Sequence, residues 1–178
     1  MAIETGTYEL DTIHSSVSFV VRHAMVSKVR GTFENVKAHI NYDAENQANS
    51  SVEATIKTES VDTRNADRDQ HLRTADFFDT DNYGEATFRS TKIDVQSDTK
   101  AVVEGELTIK GNTKPVTLDV DIFGVAEDPY GAIRVGFEAT TTINRKDFGI
   151  DFNAPLKTGG VLLSEDINLL VEGSAVKQ

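Results

Sequence analysis

Ile133-Arg-Val-Gly-Phe-Glu-Ala-Thr-Thr-Thr-Ile-Asn144 reads as one long β-strand. Ile133, Val135, Phe137, Ala139, Thr141 and Ile143 fall on one face; Arg134, Gly136, Glu138, Thr140, Thr142 and Asn144 fall on the other. Successive side chains of a strand point to opposite sides, so a period of two sorts this segment into an apolar and a wet face. Its Ile, Val and Thr suit a pleated, half-buried surface. A strand with one buried face belongs to an antiparallel sheet, because parallel strands are covered on both sides and run continuously apolar.

The alternation recurs in both directions. Upstream, Val116, Leu118, Val120 and Ile122 alternate with Thr117, Asp119 and Asp121, and Val52, Ala54 and Ile56 with Ser51, Glu53 and Thr55. Val36, Ala38, Ile40 and Tyr42 alternate with Lys37, His39 and Asn41, and Val17, Phe19 and Val21 with Ser16, Ser18, Val20 and Arg22. Downstream, Ile167, Leu169 and Val171 alternate with Asp166, Asn168, Leu170 and Glu172. Turn residues separate these runs. Lys110-Gly111-Asn112-Thr113 predicts a hairpin joining Val102–Ile109 to Val116–Phe123, and Asp128-Pro129-Tyr130-Gly131 predicts another before the long strand. Asp43 to Ser50 is a polar loop. Roughly eight or nine strands, mostly sequential neighbours, predict an all-β chain folded as an antiparallel up-and-down barrel or a curled sheet. No repeat, low-complexity tract or linker interrupts it, so residues 1–178 read as a single domain.

One segment breaks the rhythm. Ser60 to Asp79, SVDTRNADRDQHLRTADFFD, predicts a helical segment over about residues 62–75 with Asp62 or Thr63 as N-cap. Asp67 and His71 then share a face, and Leu72, Phe77 and Phe78 anchor an aromatic plug across one side or end of the sheet.

The chain carries 29 acidic and 18 basic residues, a formal charge of −11. That balance argues against a nucleic-acid partner and disfavours anionic lipid head groups as a docking surface. The acids sit at outward strand positions (Glu53, Asp119, Asp121, Glu138, Asp166, Glu172), in loops and on the helical segment, as a solubility coat. Without cysteine there are no disulfides, thiolate nucleophiles or cysteine-ligated metals. Met1 to Tyr8 shows neither a basic n-region nor an apolar h-region, and no apolar run approaches the ~20 residues that span a bilayer. The expectation is a cytoplasmic protein with no stable membrane insertion, or a periplasmic or secreted one if a signal has been trimmed.

Gly31, Ala38, Ala54, Gly105, Ala139 and Thr141 are small residues at inward positions. A barrel of about eight strands is wide enough to be filled by side chains or to hold one ligand. Strands of this length, at ~3.3 Å per residue, give a lumen on the order of 25–30 Å long, which suits a chain-like apolar ligand. Two fillings stay open: a lumen packed solid by phenylalanine, or an elongated apolar cavity.

Five stretches carry a family resemblance. They are Tyr8-Glu-Leu-Asp-Thr-Ile-His14-Ser-Ser-Val-Ser-Phe19-Val-Val-Arg-His23, Gly31-Thr-Phe33, Arg68-Asp-Gln-His71-Leu72 with Asp76-Phe77-Phe78, Gly105-Glu-Leu107-Thr-Ile-Lys-Gly111-Asn-Thr-Lys114-Pro-Val116, and Asn144-Arg145-Lys-Asp147-Phe148-Gly149. Together, in this order from about residue 5 to 175, they resemble the YceI-like family. The resemblance implies a lipocalin-like antiparallel barrel that binds polyisoprenoid and encloses its tail. Many members begin with a signal peptide and are periplasmic; this chain is more similar to cytosolic ones.

Phe19, Val21, Phe33, Leu107, Ile109, Leu118, Phe137, Ile143 and Phe148 are the lining candidates, with His23 and Arg145 for a polar head group. His23 has inward parity near a strand end, and a core histidine bonded within the protein is the alternative. Arg145 caps a phosphate at the barrel mouth or braces the helix through a carboxylate, since a buried Arg needs a partner. His14 reads as a tether in its turn, and His39 as outward and solvated. The function expected is non-catalytic binding, storage or transport of an amphiphilic long-chain lipid of the polyisoprenoid or isoprenoid-quinone type. The alternative is an enzyme or stress-response factor acting on such a lipid through Arg68, Asp69 and His71. Against it, no companion nucleophile or clamp stands at a recognisable spacing, and a helix fastened by hydrogen bonds explains the same residues. Histidines at 14, 23, 39 and 71 have no metal-ligand spacing, and no phosphate loop, dinucleotide fingerprint or nucleophile elbow occurs, so neither metal nor cofactor is expected. An exposed sheet edge leaves a homodimer open.

Overall fold

The computed structural model describes residues 2–157 and 162–178. Eleven strands form one antiparallel sheet: β1 (Gly6–Leu10), β2 (Ser16–His23), β3 (Ser27–Phe33), β4 (Val36–Tyr42), β5 (Ser51–Lys57), β6 (Val61–Asp62), β7 (Glu85–Val95), β8 (Lys100–Ile109), β9 (Asn112–Glu127), β10 (Ile133–Asn144) and β11 (Asp166–Lys177). One α-helix, α1 (Ala66–Arg73), lies between β6 and β7.

The eleven segments occupy eight barrel positions. β1 and β2 are two halves of one position, because both pair with β11, at Ala175–Lys177 and at Asn168–Glu172 respectively. β3 and β4 share the next position, paired with β2 and β1, and β5 and β6 share the third. β7 to β11 then follow in sequence, and the β1–β11 pairing closes the ring. This is the expected up-and-down barrel: β1, β4, β5 and β7 to β11 close the ring, while β2, β3 and β6 extend it at the helix end, where β6 has no second strand partner among the described residues. β10 spans the twelve residues of the opening stretch.

Alternation becomes burial. In β8, Ala101, Val103, Gly105 and Leu107 are buried while Glu104 and Glu106 are exposed. The β8–β9 hairpin turns on Lys110 and Gly111, both at positive φ (51° and 74°), the geometry whose twist matches the flanking strands and that glycine adopts without strain. At the end of the barrel holding both termini, Tyr8, Ala101, Ile122, Val135 and Ala175 pack together. Phe88, Val103, Leu107, Ile143 and Phe148 form a second cluster towards the opposite end, where α1 lies.

The helix is shorter than predicted and starts later. Its N-cap is Asn65, whose side chain accepts from the Arg68 amide at 3.0 Å. Asp62 is committed to β6, paired with Thr32, and Thr63 is bonded to Asp69. Arg64 then turns at a φ of 61°, so helical geometry begins only at Ala66.

Candidate functional site

A cavity of about 540 Å³ runs inside the barrel, from Tyr8 at the terminal end to His71 and Phe78 at the helix end. Its size is that of a small-molecule site. All eleven ligand candidates line it: Phe19, Val21, His23, Phe33, Leu107, Ile109, Leu118, Phe137, Ile143, Arg145 and Phe148. The lumen is therefore not packed solid.

The small inward residues divide into two kinds. Ala38, Ala54, Ala139 and Thr141 line the cavity. The space beside the two glycines is already taken: a Cβ built on Gly31 would lie 2.2 Å from the Phe19 ring, and one on Gly105 2.5 Å from the Phe88 ring. Glycine there seats a phenyl ring and leaves no room for a ligand.

Aromatic rings crowd the helix end. Phe33 sits between Phe19 and Phe78, with centroids 5.6 and 5.5 Å away. His71 meets Phe77 and Phe152 edge-on at 5.0 and 4.9 Å, a favourable quadrupole arrangement. Phe152, Leu162 and Leu163 belong to the connection between β10 and β11 and also line the cavity. Sequence reasoning missed these three, because the segment has no sustained period; the signal present is the short alternation of Ile150 and Phe152 about Asp151.

The polar groups around the lumen gather at this end, apart from Tyr8 and Tyr42. Arg145 is 4% exposed and bonded to main chain: Nε donates to Ser164 O (2.8 Å), one terminal nitrogen to Ile150 O (2.7 Å) and the other to Leu163 O (3.5 Å). Those three carbonyls replace the expected carboxylate partner, and Arg145 staples the β10–β11 connection without bracing α1. Burial lowers the pKa of its guanidinium, with Glu165 and Asp151 opposing.

Arg68 and Asp69 share Thr63 as a partner, and His71 pairs elsewhere. Asp69 Oδ1 accepts from the Thr63 amide (2.8 Å) and hydroxyl (2.6 Å); Arg68 donates from Nε to that hydroxyl (2.7 Å) and from a terminal nitrogen to Thr63 O (2.8 Å). His71 Nε2 pairs with Asp76 Oδ2 at 2.8 Å, so its acidic neighbour is Asp76 and not Asp67 on the same helix face. The cluster fastens α1 to Thr63, just after β6, and to the turn after the helix. His23 differs: its side chain lines the cavity and makes no hydrogen bond among the described residues, whereas its main-chain oxygen accepts from Val26 N and Ser27 Oγ. His14 binds Asp11 within its turn (2.7 Å), and His39 pairs with Glu9 across β1 and β4 at 2.5 Å where free solvation was expected.

Comparison with known proteins agrees with this architecture. The chain is 37% identical to a UPF0312 protein of Vibrio cholerae, over 97% of this chain and 89% of that protein. The crystal structure of Burkholderia cenocepacia BcnA superposes with a TM-score of 0.79 at 25% identity, covering 95% of this chain and 99% of that one. A polyisoprenoid binding domain from Saccharophagus degradans shares the fold, with a TM-score of 0.67 at 15% identity over 98% of this chain and 99% of that one. The YceI-like domain family matches residues 8–175, nearly the whole barrel from Tyr8 in β1 to Ala175 in β11. The chain belongs to the YceI-like family.

Proposed function

We propose that this protein binds, stores or carries an amphiphilic long-chain lipid, of the polyisoprenoid or isoprenoid-quinone type, without catalysing a reaction on it. The single observation that carries this reading is an elongated, almost wholly apolar cavity along the axis of a closed barrel. A tail leaving water for such a lumen contributes about 0.8 kcal/mol per buried CH₂, less the cost of ordering the chain. Because the charged and imidazole side chains lie at the helix end, the tail points towards Tyr8 and Ala175 and the head group stays near α1. His23, whose ring makes no hydrogen bond among the described residues, is our assignment for the head group; the nitrogens of Arg145 already serve carbonyls. Arg68, Asp69 and His71 are occupied in holding α1, which favours binding over catalysis.

The test is titration of delipidated protein with a polyprenol or an isoprenoid quinone. Ala139→Leu, placed mid-lumen, is expected to weaken binding about tenfold or more by excluding tail methylenes. His71→Ala is expected to retain lipid. If the unsubstituted protein binds neither ligand, the reading fails.

A further inference from the structure

We infer that the β2–β3 hairpin is a docking element for an anionic bilayer, set beside the helix end of the cavity. From Thr12 to Phe33 the chain carries no acidic residue, although 29 of its 178 residues are acidic. It is the longest acid-free run in the sequence, and it contains Arg22, Lys28 and Arg30. All three are exposed, and none takes part in an ion pair among the described residues. Between them the hairpin tip presents Met25, 52% exposed, and Val26, 83% exposed. Ala24 and Met25 hold the tip at positive φ, and β2 and β3 are paired through to His23 and Ser27, so the tip projects from a formed ladder.

An apolar tip flanked by cations matches the interface of an anionic bilayer: methyl and thioether groups enter the acyl boundary while Lys and Arg stay at the phosphates. The location has a use. Val21, His23 and Val29, on the same two strands, line the cavity. A molecule seated by this hairpin therefore holds its helix end against the membrane, where a long-chain lipid enters or leaves. Exposed acids of that end belong to α1 and the turn after it (Asp67, Asp76), to β6 (Asp62), and to the β10–β11 connection and the start of β11 (Asp147, Asp151, Glu165, Asp166), so the hairpin tip and not the whole rim faces the phosphates. The net charge of −11 describes the molecule and not this corner of it.

The experiment is flotation with vesicles of phosphatidylglycerol and phosphatidylcholine in equal parts, compared with phosphatidylcholine alone. The protein has no Trp, so Val26→Trp supplies a single reporter whose emission is expected to shift to the blue on the anionic vesicles. Met25→Asp with Val26→Asp, and separately Arg22→Glu with Lys28→Glu and Arg30→Glu, are expected to cut flotation about tenfold or more, as is raising salt to about 0.5 M. Ile13→Ser with Phe123→Ser, which removes exposed apolar side chains elsewhere on the barrel, is expected to leave it unchanged. Melting curves establish that each variant is folded. Equal binding to neutral vesicles, no loss in the hairpin variants, or self-association through the tip overturns the inference. It rests on lipid passing through the helix end, yet docking is read on phospholipid whatever the cavity holds. Failed flotation with retained isoprenoid binding therefore removes this inference alone.

Discussion

Asp11 connects three parts of the barrel through one carboxylate. Oδ1 accepts from the Ile13 and His14 amides, closing the turn that interrupts β1 and β2. Oδ2 accepts from His14 Nδ1 at 2.7 Å and from Arg134 at 2.5 Å, and Arg134 continues to Asp128 at 2.8 Å, in the turn between β9 and β10. The hydrogen bond from His14, and then that from Arg134, hold the Asp11 carboxyl well below the usual carboxylate range. A carboxylate depressed in the folded state stabilises above its unfolded pKa, and the contribution disappears as pH falls through the folded value. His39 has the opposite sign. The hydrogen bond it donates to the Glu9 carboxylate raises it, so its contribution is complete below the ordinary imidazole pKa of about 6.5 and is lost as pH rises past the folded value. Melting temperature measured against pH is therefore expected to fall on both sides of a mildly acidic maximum. Asp11→Asn is expected to lower the melting temperature at neutral pH and to flatten the acid limb below about pH 4. An unchanged acid limb would show that Asp11 does not link the two turns.

The helix is the element whose placement depends on side chains. Asp69, 8% exposed, satisfies both the amide and the hydroxyl of Thr63, while Arg73 donates from Nε to Glu59 O (2.9 Å) and from a terminal nitrogen to Val61 O (3.3 Å). Asp69→Ala leaves buried donors without an acceptor, and is expected to cost about 1–3 kcal/mol in urea unfolding. Hydrogen exchange should quicken over residues 63–78 and not in β8 or β9. The strands were legible in the sequence because alternation repeats over many residues, and β10 has the bounds its pattern suggests. The start of α1 was not. Asp62, Thr63 and Asn65 all suit an N-cap, and long-range pairing of β6 with β3 decides among them. His71 likewise had an acidic neighbour on its own helix face, but the turn after the helix brings Asp76 closer.

At the scale of the molecule, strand parity showed which strand side chains face inward, and all eleven candidates line the lumen, Arg145 and Phe148 from the short 3-10 turn after β10. How much of the lumen stays empty was not legible, because it depends on where rings turn. Phe19 and Phe88 fold over Gly31 and Gly105 and consume space the sequence seemed to leave, while Ala38, Ala54 and Ala139 preserve it. The connection between β10 and β11 was equally opaque, since its apolar residues reach the cavity without any strand period. Net charge, too, averages over a basic hairpin and an acidic remainder. In the proposed function the closed barrel holds an apolar chain. Native mass spectrometry of protein purified without detergent, followed by organic extraction, tests it most directly. A mass excess is expected that disappears on extraction and reappears in the organic phase as an isoprenoid-type lipid. Protein that carries only its polypeptide mass, and takes up no added polyprenol or isoprenoid quinone, would contradict it.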